Sequence, residues 1–143
     1  MYDYGSIYWL LCSCVLVRGL YIIMHQYILS SNNKYTTLTN ERQMYVQKNI
    51  VKSTYLAFLT VYATIFIIRP IYFFGYWDNY MIHRLAALYV SNDIVGLICV
   101  DNLPKSTRIH HIVTTTLVFI SVGLDFKTSE IAQAMLVYTM ASA

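Results

Sequence analysis

Long apolar runs separated by short polar stretches dominate the chain. A hydrocarbon core about 30 Å thick takes about 20 helical residues to cross, and four runs fit that measure: residues 6–24, 53–77, 85–100 and 109–124, the last two with flanking residues. The first three carry one charge each, Arg18, Arg69 and Asp93, and the fourth carries no Asp, Glu, Lys or Arg. A fifth run, residues 131–143, is short, because about 1.5 Å of rise per residue takes it only about 20 Å. The expected fold is an all-α integral membrane protein, a multi-pass transmembrane helical bundle of four spans plus a truncated fifth. Met140, Ala141, Ser142 and Ala143 end the sequence without a polar tail, which predicts one domain, residues 1–143, lacking its C-terminal spans.

Composition sharpens the reading. Of 143 residues, 57% are hydrophobic and 12% charged, with mean hydropathy +0.49, whereas a soluble domain carries about 25% charged residues. The net charge of +3 comes from 10 Lys and Arg against 7 Asp and Glu with no block of like charge, so nucleic acid is not an expected partner. Cys12, Cys14 and Cys99 all lie in apolar runs without a CxxC pair, and indicate neither a disulfide framework nor a zinc site. The first run lacks a basic start and a clear cleavage site, so it reads as a retained span. Lys34, Arg42, Lys48, Lys52, Lys105 and Arg108 fall in loops that alternation puts on one side, against Arg84 and Lys127 on the other. By the positive-inside rule the six face the cytoplasm and the N-terminus is lumenal or outside. Asn40 is the expected N-cap of a helical lead-in to the second span. Residues 72–77, rich in Tyr, Phe and Trp, read as an aromatic belt, with Arg69 snorkelling and Pro70 kinking the helix nearby.

Polar groups at membrane depth carry the chemistry, since a charge there costs about 2.5–3.5 kcal/mol on insertion scales unless it is paired or wet. Asp93 lies near the middle of the third span beside Asn92, with Tyr89 at i−4 able to donate a hydrogen bond and Gly96 at i+3 admitting a close neighbour. His110 and His111 open the fourth span; adjacent helical side chains point about 100° apart, so the pair is not expected to share a metal ion. Thr107, His111, Thr114, Val118, Ser121 and Asp125 step by four and three along one helical face. The short connection around Asp101–Arg108 makes the third and fourth spans antiparallel neighbours, bringing Asp93 toward the histidines. Two readings stay open: a polar cavity lined by Asp93, Asn92, Tyr89, His111, Thr114 and Ser121, or polar groups that only fix helix contacts.

Residues 88–97, with Asn92-Asp93 at their centre, then Pro104, then His110-His111 followed by Val113, Thr114 and Thr115, resemble the TLC domain family. Its members are multi-pass helical proteins, mainly of the endoplasmic reticulum, and include ceramide synthases, which join a fatty acyl group from acyl-CoA to a sphingoid amine. The resemblance implies that Asp93, His110 and His111 take the family's polar-centre positions and would be catalytic in an enzyme. After the histidines, however, Asp125, Phe126, Lys127 and Thr128 stand where ceramide synthases carry further Asn, Arg, His and Asp residues, so the chain is more similar to TLC-domain proteins of unsettled activity. The expected function is lipid binding and membrane lipid homeostasis, with membrane lipids as partners and no cofactor or metal. One alternative is an acyltransferase with acyl-CoA as substrate, where Asp93 orients a histidine base and Lys105 or Arg108 attracts CoA. The other is a helix-packing or trafficking partner, homo- or hetero-oligomeric in the membrane, without a lipid site.

Overall fold

The structure is a computed structural model that describes residues 4–142. It is all helical, with no strand among the described residues: α1 Tyr4–Ser31, α2 Asn33–Thr36, α3 Asn40–Ala63, α4 Arg69–Phe74, α5 Asn79–Cys99, α6 Lys105–Ser121 and α7 Glu130–Ser142. Ala143, the end of the fifth apolar run, lies outside the described residues. Three helical stretches are long and apolar enough to cross a membrane: Gly5–Ser31, Asn40–Phe74 and Asn79–Cys99. The fourth expected span is the difference. At 17 residues, α6 is about 26 Å long, and its first turn holds Lys105 and Arg108; α7, at 13 residues, is shorter still.

α5 is the central helix and packs against α1, α3 and α6. Apolar residues fall on every side of it, the pattern of a helix enclosed by others, and Ile82, Leu85, Val90 and Val95 are all buried. Asp78 starts it, its Oδ1 accepting from Met81 N–H at 3.1 Å. At that end of the bundle Arg84 lies with its guanidinium carbon 3.6 Å from the Tyr80 ring centre and 4.9 Å from that of Trp9, tying α5 to α1. The outer helices are the reverse of α5. Tyr8, Leu11, Val15, Phe58 and Val61 are all more than half exposed, and an apolar surface this extensive calls for an apolar solvent or partner.

One expectation about a helix end is corrected. Thr39, not Asn40, is the N-cap of α3, and its side chain makes no capping bond; the neighbouring Gln43 amide instead donates to the Tyr35 and Leu38 carbonyls at 3.2 and 3.1 Å. Pro70 lies inside the helical run. Proline lacks an N–H and crowds the carbonyl four residues back, and the chain answers with a π-helical segment over Thr64–Ile68, in which Arg69 N–H bonds to Thr64 O, five residues back. The helix then runs on to Phe74 and stops at Gly75, whose φ of 59° suits a residue without Cβ. Tyr72, Phe73, Phe74 and Tyr76 are exposed around this end, as an aromatic belt would be. All three cysteines are free.

Candidate polar centre between α3, α5 and α6

The antiparallel pairing of α5 and α6 brings together two of the groups singled out in the sequence. Asp93 Oδ1 lies 2.8 Å from His111 Nδ1, off the line of a straight hydrogen bond, and Asp93 Oδ2 accepts from Thr114 Oγ1 at 2.8 Å. The stripe on α6 is real over its middle: His111, Thr114, Val118 and Ser121 are its buried residues. Thr107 is half-buried and Asp125 exposed, because the helix stops at Ser121 and the stripe does not continue past it. Asp125 instead sits in the α6–α7 loop and accepts from Asn79 Nδ2 at 2.6 Å, Lys127 N–H at 3.0 Å and Thr128 Oγ1 at 3.0 Å. The Asn79 amide, then the backbone N–H and the hydroxyl, hold its carboxyl below the usual carboxylate range.

α3 supplies what the sequence reading did not foresee. Lys48 is 2% exposed, and its ammonium donates to His111 Nε2 at 3.0 Å. One turn on, Lys52 Nζ lies 3.7 Å from Asp93 Oδ1. If Nε2 accepts from Lys48, the imidazole proton sits on Nδ1, facing Asp93. The result is a line of carboxylate, imidazole and amine across three helices. Gly96 makes it fit: a Cβ there would meet Lys48 Cε at 3.2 Å and His111 Nε2 at 3.8 Å, so what the glycine admits is a lysine stem. The signal available in the sequence was the i, i+4 spacing of Lys48 and Lys52, which gives them one helical face.

The other expected site residues divide. Tyr89 and Ser121 lie in an apolar cleft with Leu59, Ile82, Val118 and Met135; Tyr89 is one turn from Asp93, and Val118 one turn from Thr114, so the cleft continues from the polar centre. Asn92 is 1% exposed and neither side-chain atom has a hydrogen-bond partner; the buried Tyr21 hydroxyl is also unpartnered. Such orphaned groups cost about 1–3 kcal/mol each. His110 is half-buried, its ring centre 5.7 Å from that of His111 with the planes 55° apart. Despite the divergence expected of adjacent histidines, ligating atoms of Asp93, His110 and His111 all lie within 4.8 Å of one another. Separation alone would let them share an ion, yet Lys48 engages His111 and Lys52 engages Asp93, and two ammonium groups oppose a further cation.

On the other side of the centre, Asn40, Arg42, Met44, Val100 and Asn102 line a second groove, closed at one point by Asn102 Nδ2 donating to Glu41 Oε1 at 2.8 Å. Met44 is one turn before Lys48 and Val100 one turn after Gly96. The charged line therefore lies between a groove that carries Glu41, Arg42 and Asp101 among apolar residues and a cleft lined almost wholly by apolar side chains. No family model, curated protein or solved structure matches the chain.

Proposed function

We propose that the chain is an integral membrane protein, similar to TLC-domain proteins of endomembranes, that binds a lipid at the Asp93–His111 centre and takes part in membrane lipid homeostasis. Its N-terminus is lumenal, and the end bearing Arg42, Lys105 and Arg108 faces the cytoplasm. The observation that carries this reading is the position of a buried, hydrogen-bonded ionic centre one helical turn from an apolar cleft. An amphiphile needs both: donors and charge for its polar part, and a dry surface for its chain. The exposed apolar faces of α1 and α3 support the membrane setting.

Native mass spectrometry of the detergent-purified chain tests it, with wild type compared with a His110→Ala, His111→Ala variant and with Val118→Phe, which fills the cleft and leaves the polar centre intact. A specific lipid that travels with wild type and is lost from both variants is the expected result. Wild type carrying only bulk phospholipid would overturn the reading.

A second reading is favoured by the groove beside Lys48. An acyl-CoA lying with its charged part near Arg42 and its chain in the cleft would place the thioester at His111, a base oriented by Asp93. Acyl transfer from acyl-CoA to a sphingoid amine, lost in His111→Ala, checks it; no transfer by the wild-type chain excludes it.

A further inference from the structure

Lys48 is the least expected group in the molecule. It is buried at 2% exposure, yet among the described residues no carboxylate comes within 4.0 Å of its ammonium; the only ion pairs of the centre join Asp93 to Lys52 and to His111. Three features that activate a lysine amine meet here. It is removed from water, a second cation, Lys52, lies one turn away on the same face, and a base touches it and is itself oriented by a third group. That base is His111, whose Nε2 receives the Lys48 hydrogen bond and whose Nδ1 faces Asp93. A lysine serving only as a structural cation would be expected to lie against a carboxylate, and here the carboxylate is spent on its neighbours.

We propose that Lys48 is the nucleophile of an imine-forming site that takes the aldehyde carbonyl of a long-chain lipid. The chain-length part of the inference rests on the lipid-binding reading above; the amine chemistry does not. His111 Nε2 takes a proton from the Lys48 ammonium, and Asp93 steadies the imidazolium. The free amine adds to the carbonyl carbon, forming the C–N bond while a proton moves from nitrogen to oxygen. The imidazolium returns its proton to the departing hydroxyl, water leaves, and a C=N bond joins the lipid to Lys48. The positive charge ends on the iminium nitrogen, where the ammonium held it, and nothing is oxidised or reduced. Access comes from the groove at Met44 and Val100, and the alkyl chain reaches the cleft at Tyr89 and Val118.

The experiment traps the adduct. The purified full chain in detergent is incubated with hexadecanal or butanal and sodium cyanoborohydride, and alkylation is mapped on every lysine by peptide mass spectrometry. Lys34, Lys105 and Lys127 are exposed and serve as internal standards. Lys48 is expected to label at least about tenfold faster than these, despite its burial, and Asp93→Asn is expected to slow Lys48 alone. Hexadecanal outpacing butanal at Lys48 sustains both the amine and the lipid reading. Equal rates with both aldehydes, still selective for Lys48, sustain the amine and sink the lipid reading. Labelling of Lys48 no faster than Lys34 overturns the proposal.

Discussion

Two of the buried polar networks among the described residues are built on opposite principles. One joins α1, α2 and α3: Gln47 donates to the Tyr35 hydroxyl at 2.5 Å and contacts His25 Nδ1, Gln43 donates to the Tyr35 carbonyl, and the Tyr35 hydroxyl reaches Gln43 O at 3.3 Å. Amides, a hydroxyl and an imidazole satisfy one another with no formal charge required. The other, one residue further along α3, gathers Lys48 and Lys52 against the single carboxylate of Asp93 and leaves Asn92 without a partner. A neutral and closed network fixes where helices sit. A charged network with more cations than anions and with unspent donors keeps capacity for a ligand.

That contrast can be broken most sharply at Asp93. Asp93→Ala leaves Lys48, Lys52 and His111 with no anion, and removing one partner of a buried ionic set costs about 3–5 kcal/mol; unfolding in detergent should show it. Lys48→Met should show the opposite. It retains an apolar stem and deletes the surplus cation, so stability is expected to hold or rise while the lipid and aldehyde chemistry is lost; a large drop in stability would make Lys48 architectural. In the neutral network, Gln47→Leu strips donors from buried partners at about 1–3 kcal/mol, with Lys48 reactivity unchanged. Gly96→Ala comes next. Its Cβ forces the Lys48 stem aside, an overpacking cost of about 1 kcal/mol or more partly offset by better helix propensity, so Lys48 labelling should fall further than the melting temperature.

The smallest effect lies outside both networks. Asp125 titrates below its usual range in the folded state because Asn79, Lys127 and Thr128 donate to it. Its contribution to stability is therefore complete above the ordinary carboxylate value of 3.8 and fades as pH falls through the lower folded value. Asn79→Ala should therefore lower the plateau of a stability–pH curve above about pH 4 and flatten its acid limb, with stability at the acid end unchanged on that account.

Spacing made Asp93, His111 and Thr114 legible, because heptad-like steps and a short interhelical connection are enough to set two faces against each other. The same rule overreached at Asp125, where the helix had already ended. Lys48 and Lys52 were hidden for a different reason. Apolar content marks where the expected span begins, near residue 53, but α3 begins at Asn40, and lysines ahead of that point read as charges that orient the chain. Membrane topology and site chemistry use the same residue type, and only the partner across the gap at Gly96 tells them apart. The histidine pair teaches a similar lesson: side-chain directions from helical wheels ignore the freedom of the rings and the approach of Asp93.

The π-helical segment at Thr64–Ile68 has a consequence for phase. Leu59, Ala63 and Ile67 are buried and Ile71 packs against the same apolar cluster, a strict repeat of four. On an ideal α-helix each such step overshoots a full rotation by about 40°, so three steps would carry Ile71 well off the seam that Leu59 started. The wider turn absorbs part of that excess and keeps the four in register. Deleting a single residue there would mend the α-helical ladder and put everything beyond it, the aromatic collar included, out of step with the bundle.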